Sequence, residues 1–135
     1  MRDLFDTIDD PLWEGDTTST FTFDEYCQQA MDCAIYPGSF VYPVLGLNGE
    51  AGEVAEKLKK FFRDSEYEMD LDDPIVEMTP ELRMELAMEL GDCLWYITAA
   101  ATDLGYELSE IAAINLDKLQ DRKKRQMLKG SGDYR

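Results

Sequence analysis

Apolar residues in this chain recur every three or four positions and almost never every second one, which restricts the fold to helices packed on helices. Phe23, Tyr26, Cys27, Ala30, Met31 and Ala34 keep the period first, behind Thr22 and Glu25 at capping-box spacing. Tyr36-Pro37-Gly38 closes that helix by turn chemistry. A second helix is predicted from about Pro43 to Phe62, with Val44, Leu47, Ala51, Val54, Ala55, Leu58, Phe61 and Phe62 on its apolar side. Gly46, Gly49 and Gly52 each cost about 1 kcal/mol relative to alanine there. A neighbouring helix or a ligand is therefore expected close to that backbone. The third helix starts at the N-cap Thr79 with Pro80 in first position and runs to Leu104, with Gly105 as its stop. Its stripe is Leu82, Leu86, Leu90, Cys93, Leu94, Ile97 and Ala101. The fourth, capped by Ser109, runs to about Leu128 and turns Ile111, Ile114, Leu116 and Leu119 inward. Asn48-Gly49 lies inside a helical pattern and joins no strands. The expected fold is all-α, a four-helix bundle with short connections.

The 135 residues suffice for one domain, expected over 21–130. Residues 1–20 lack a period and read as an irregular arm, with Leu4, Phe5, Ile8, Leu12 and Trp13 free to dock. Residues 131–135 read as a flexible tail. Arg63 to Thr79 is irregular and acidic, a solvated loop without the spacing and central glycine of a calcium-binding loop.

Charge and composition narrow the chemistry. A net charge of −16 argues against partnership with a nucleic acid polymer or an anionic membrane. No apolar run approaches the roughly 20 residues of a membrane span, and the acidic start is unlike a signal peptide, so a cytoplasmic protein is expected. The chain has no histidine, which removes histidine bases, serine and cysteine triads and most catalytic zinc sites. Cys27, Cys33 and Cys93 read as reduced thiols, buried as small apolar groups. Hydrolytic chemistry is left to carboxylates with a hard metal ion.

Two carboxylate pairs stand at i, i+3: Glu50 with Glu53 on the second helix, Glu89 with Asp92 on the third. The second pair continues a ridge from Glu85 to Tyr96, beside the Leu82–Leu86–Leu90 stripe. If the helices are neighbours, four carboxylates converge, and a divalent cation relieves their repulsion. Oxygen-only ligands suit Mg²⁺, with Mn²⁺ as a substitute. Solvated surface is the alternative for each pair taken singly.

These segments resemble the MazG-like, all-α nucleoside triphosphate pyrophosphohydrolases. Leu47-Asn48-Gly49-Glu50-Ala51-Gly52-Glu53-Val54-Ala55-Glu56 is similar to the family's second helix and Glu89-Leu90-Gly91-Asp92-Cys93-Leu94-Trp95-Tyr96 to its third. Asn115-Leu116-Asp117-Lys118-Leu119 with Arg122 is similar to its fourth. The 35 residues 54–88 between the pairs are more than the family usually has, and the excess falls in the acidic stretch.

The resemblance implies cleavage of a (d)NTP to monophosphate and pyrophosphate, with purine nucleotides, guanine included, favoured by family habit. It implies metal ligation by Glu50, Glu53, Glu89 and Asp92; with no histidine in the chain, a carboxylate is the natural base, and Glu53 is expected to accept the proton of the metal-bound water. Asn115 and Lys118 would hold phosphate or metal-linked groups, and Arg122 belongs to the same segment. Further candidates are Lys57 and Lys60 for phosphate, Arg135 with Ser131 and Gly132 in the tail, and Trp95 for stacking on a base. Lys123, Lys124 and Arg125 read instead as charge at a helix C-terminus. Alternatives are cleavage of another pyrophosphate, such as phosphoribosyl-ATP or a nucleoside diphosphate, and a non-catalytic helical module binding partners through its acidic face. The third helix is apolar or small well round its circumference, which, with the family's habit, predicts an obligate dimer or dimer-based tetramer.

Overall fold

Four helices follow one another in the computed structural model, which describes residues 22–64, 78–125 and 127. They are α1 (Phe23–Asp32), α2 (Val41–Asp64), α3 (Pro80–Asp103) and α4 (Leu108–Lys124). Among the described residues there is no strand, so the all-α expectation is met. No helix among them is long and apolar enough to cross a membrane. The arm (1–20), most of the acidic stretch and the tail with Arg135 lie outside the described residues.

Local chemistry sets the helix ends. At α1 the Glu25 N–H donates to Thr22 Oγ1 at 3.2 Å, and the Thr22 N–H donates back to Glu25 Oε2 at 2.6 Å. The helix stops at Asp32, before the predicted turn. Tyr36 is drawn out of the helical path: its hydroxyl donates to Asp103 Oδ2 at 3.2 Å and its ring stacks on Tyr42 at 4.9 Å. The second helix begins two residues earlier than expected. Pro43 falls in its first turn, where a backbone N–H has no intrahelical acceptor to lose.

At α3 the Leu82 N–H donates to Thr79 Oγ1 at 3.2 Å, as the N-cap reading requires. Its far end is a Schellman motif. The Tyr106 N–H reaches Ala101 O at 3.0 Å and the Gly105 N–H reaches Thr102 O at 2.9 Å. Gly105 takes φ +78°, a conformation that favours glycine. The predicted Ser109 cap of α4 is corrected to Glu107, whose N–H donates to Glu110 Oε2 at 2.9 Å. Starting there places Leu108, only 5% exposed, in the first helical position. The helix ends at Lys124, short of Leu128.

The described residues divide into two units. One is Val44–Tyr96, where α2 and the first part of α3 meet. Here a close contact decides one glycine: a Cβ on Gly46 would stand 2.1 Å from Tyr96 Cε1. Gly49 and Gly52 face open space, so the close approach expected at all three occurs at one. Ala51 and Ala55, predicted apolar-side residues, are exposed, while Val44, Leu47, Val54 and Leu58 are half-buried.

The other unit comprises the described residues of 22–43 and 97–127. In it α1 packs on α4. Cys27, Ala30, Thr98, Ala99, Ala101 and Leu108 are buried, and Cys27 Sγ lies 3.6 Å from Thr102 Oγ1. All three cysteines are free thiols; Cys27 and Cys93 are buried as predicted, but Cys33 is exposed.

Candidate metal centre

Helix geometry gathers the acidic side chains of the first unit. On α3, Glu85, Glu89 and Asp92 are four and three residues apart, so they share a stripe. The Gly46–Tyr96 contact shows that this stripe, which Tyr96 continues, faces α2. Leu90, assigned to the apolar stripe by its spacing, lies to the other side and is 58% exposed.

Across from the ridge stands Glu50 on α2. One carboxylate oxygen from each of Glu50, Glu89 and Asp92 lies within 4.8 Å of the others. Burial first, then the charges of Glu53, Asp92 and Glu89, push the Glu50 carboxyl above its ordinary value near 4.5. The same neighbourhood holds the Cys93 thiol above its ordinary value, through burial first and then Glu50, Asp92 and Glu89. Cys93 is thereby kept an inert thiol beside the cluster. Three oxygen donors in one small volume fit a hard divalent cation: the donor set is oxygen only, and a bound cation would relieve the repulsion that adds to burial in raising Glu50.

The other site candidates fall as follows. Glu53 is exposed and stays outside the trio. At 100° per residue it points about 60° round the helix from Glu50, away from half-buried Val54. Lys57 does not stand free for phosphate. Its Nζ is 3.1 Å from Glu85 Oε2 and 3.4 Å from Glu89 Oε1, and these contacts raise its pKa. This bridge was missed in the sequence, although Lys57 follows Glu50 by seven residues and so shares its face. Lys60 pairs with Glu56 at 3.5 Å. Trp95 is half-buried, its ring edge-on to Tyr96 at 5.0 Å. In the other unit, Asn115 and Lys118 are exposed on α4, whereas Arg122 is buried, 6% exposed.

The fold and the cluster thus define a class: an all-helical protein with three carboxylates gathered where they could hold a metal ion. Residues 43–127 match the MazG nucleotide pyrophosphohydrolase domain, and the chain belongs to that family. It is similar to the Gene 37 protein of Mycobacterium phage L5, 42% identical over 120 residues, which cover 83% of this chain and 97% of that protein. No solved structure matches it.

Proposed function

We propose that this chain is a Mg²⁺-dependent pyrophosphohydrolase that converts a (d)NTP to the monophosphate and pyrophosphate, with a lean to purine nucleotides, guanine included. The convergence of Glu50, Glu89 and Asp92 supports this reading most directly. These three residues hold the cation and Glu53 completes the set from its exposed position. Held there, Mg²⁺ or Mn²⁺ would supply charge neutralisation for the phosphates and a bound water of lowered pKa. Glu53 accepts the proton of the attacking water, the role left to a carboxylate in a chain without histidine. Asn115, Lys118 and Arg122, carried over from the family resemblance, are the proposed phosphate contacts; Arg135, from the tail, is a further phosphate contact, and Trp95, next to the acidic pair of α3, the base contact. We place the enzyme in the cytoplasm.

We also propose that it works as a dimer or dimer-based tetramer. In the single chain Leu45 is 67% exposed, Met88 63% and Leu116 56%, surface that a second copy would cover. Light scattering tests this, and an active species of 15.5 kDa would rule it out.

The reaction is tested by ³¹P NMR of products from a (d)NTP panel with Mg²⁺. Monophosphate plus pyrophosphate is expected. Orthophosphate would mean another bond is cut. No turnover of any triphosphate would favour another pyrophosphate substrate or a non-catalytic module.

A further inference from the structure

Lys57 and a carboxylate of the candidate metal centre are already partners. Seven residues after Glu50, and so two turns along the same face of α2, its Nζ sits 3.4 Å from Glu89 Oε1. Glu89 has two claims on it, one from this ammonium and one from the cation that the trio is proposed to hold. The second partner of Lys57 is Glu85, at 3.1 Å, one turn upstream on α3 and outside the trio. Glu85 is 56% exposed, whereas Glu89 is only 15% exposed.

The ammonium is a compact charge with three donors on a flexible stem, so it can leave Glu89 and keep Glu85. It is also reachable. Lys57 lines an open cleft of ≈ 490 Å³ together with Lys60, Phe61, Asp64, Leu82 and Glu85.

We propose that Lys57 is a resident counter-ion of the carboxylate cluster, which partly neutralises Glu89, restrains the binding of free divalent cation, and shifts onto Glu85 when cation and triphosphate bind together. This rests on the reading of the trio as a metal centre. A triphosphate brings its own negative charge to Lys57, so the restraint falls on the bare cation more than on the cation–nucleotide pair. Glu85 is then a positioning residue that keeps the displaced ammonium at the edge of the site.

The test is Mn²⁺ binding to the full chain, followed by electron paramagnetic resonance without nucleotide. Native protein is compared with Lys57→Met and Lys57→Arg, all checked for helicity by circular dichroism. In a water-like dielectric, one positive charge about 6 Å from a divalent ion alters its binding by about tenfold. Lys57→Met should therefore bind Mn²⁺ about tenfold more tightly, Lys57→Arg should stay close to native, and a non-hydrolysable triphosphate should narrow the gap between native and Lys57→Met. Unchanged or weaker binding in Lys57→Met overturns the counter-ion role. So does an equal rise in Lys57→Arg, which would trace the effect to packing. Absence of Mn²⁺ binding in the native chain overturns the metal-centre reading as well. Native binding left unchanged by Lys57→Met overturns the role of Lys57 alone.

Discussion

Up to Tyr96, α3 presents Glu85, Glu89 and Asp92 along one stripe and leaves Met88 63% and Leu90 58% exposed. From Ile97 onward the same helix buries Thr98 and Ala99 completely and Ala101 to 4%. The first part gathers charge against charge, an arrangement that opposes folding in the absence of a cation. The second supplies small residues that admit close packing, a Schellman end and a buried Cys27 near Thr102. The proposed chemistry and the packing that stabilises the fold thus draw on different stretches of one helix, and substitutions in the two should separate activity from stability.

The largest effects belong to the carboxylates of the first unit. Asp92→Asn and Glu50→Gln should cut turnover by orders of magnitude while leaving the metal-free fold as stable as native or slightly more so, because repulsion is relieved. Glu53→Gln should lower kcat by about 10²–10⁴-fold, the range for losing a general base. It should disturb Mn²⁺ binding less than Asp92→Asn does, since Glu53 stands outside the trio. Steady-state kinetics beside metal titration checks both, and near-native turnover in all three variants would remove the assigned site.

In the other unit the order reverses. Leu108→Ala should cost about 2–5 kcal/mol of stability, the range for truncating a buried leucine, and leave kcat near native at temperatures where the variant is folded. Denaturant melts measure this, and a loss of kcat without a loss of stability would break the division.

A smaller effect separates glycines on a single helix. Gly46→Ala forces a methyl into the Tyr96 ring and should cost about 1–3 kcal/mol. Gly49→Ala meets nothing and should stabilise by up to about 1 kcal/mol through helix propensity. Equal signs for the two would refute the packing.

The smallest effect is at the α1 cap. The Thr22 backbone hydrogen bond, then the Thr22 side-chain bond, lowers the Glu25 pKa below its ordinary 4.5. A lowered carboxylate stabilises the fold fully above its unfolded pKa, and the contribution is lost as pH falls through the folded value. Glu25→Gln keeps the hydrogen bond and removes the titration, so the melting advantage of the native chain should fade over that window. A constant difference across it would assign the cap to geometry rather than charge.

Local signals were legible where one residue decides the outcome. Thr22 with Glu25, Thr79 with Pro80, and Gly105 mark helix ends that the structure reproduces, because a cap is satisfied by atoms within a few residues. The Ser109 cap failed because burial of Leu108, a tertiary effect, outranked a good capping residue. The two carboxylate pairs were visible as pairs, and their convergence was expected if α2 and α3 were neighbours, but that only three of the four carboxylates meet was not legible. Spacing put Leu90 in the core stripe, whereas the acidic ridge with Tyr96 faces α2. Nor did spacing separate Glu50 from Glu53 or give Lys57 its two partners on α3, since both depend on the rotation of α2 about its axis.

The claim on which the functional account turns is that the trio Glu50, Glu89 and Asp92 binds a divalent cation. Calorimetric unfolding with and without Mg²⁺, in the native chain and in Asp92→Asn, tests it most directly, since a cation that binds the folded state raises its melting temperature by mass action. The account predicts a rise with Mg²⁺ in the native chain and none in Asp92→Asn, whose metal-free melting temperature equals or exceeds the native one. An equal rise in both proteins, or none in either, would contradict it.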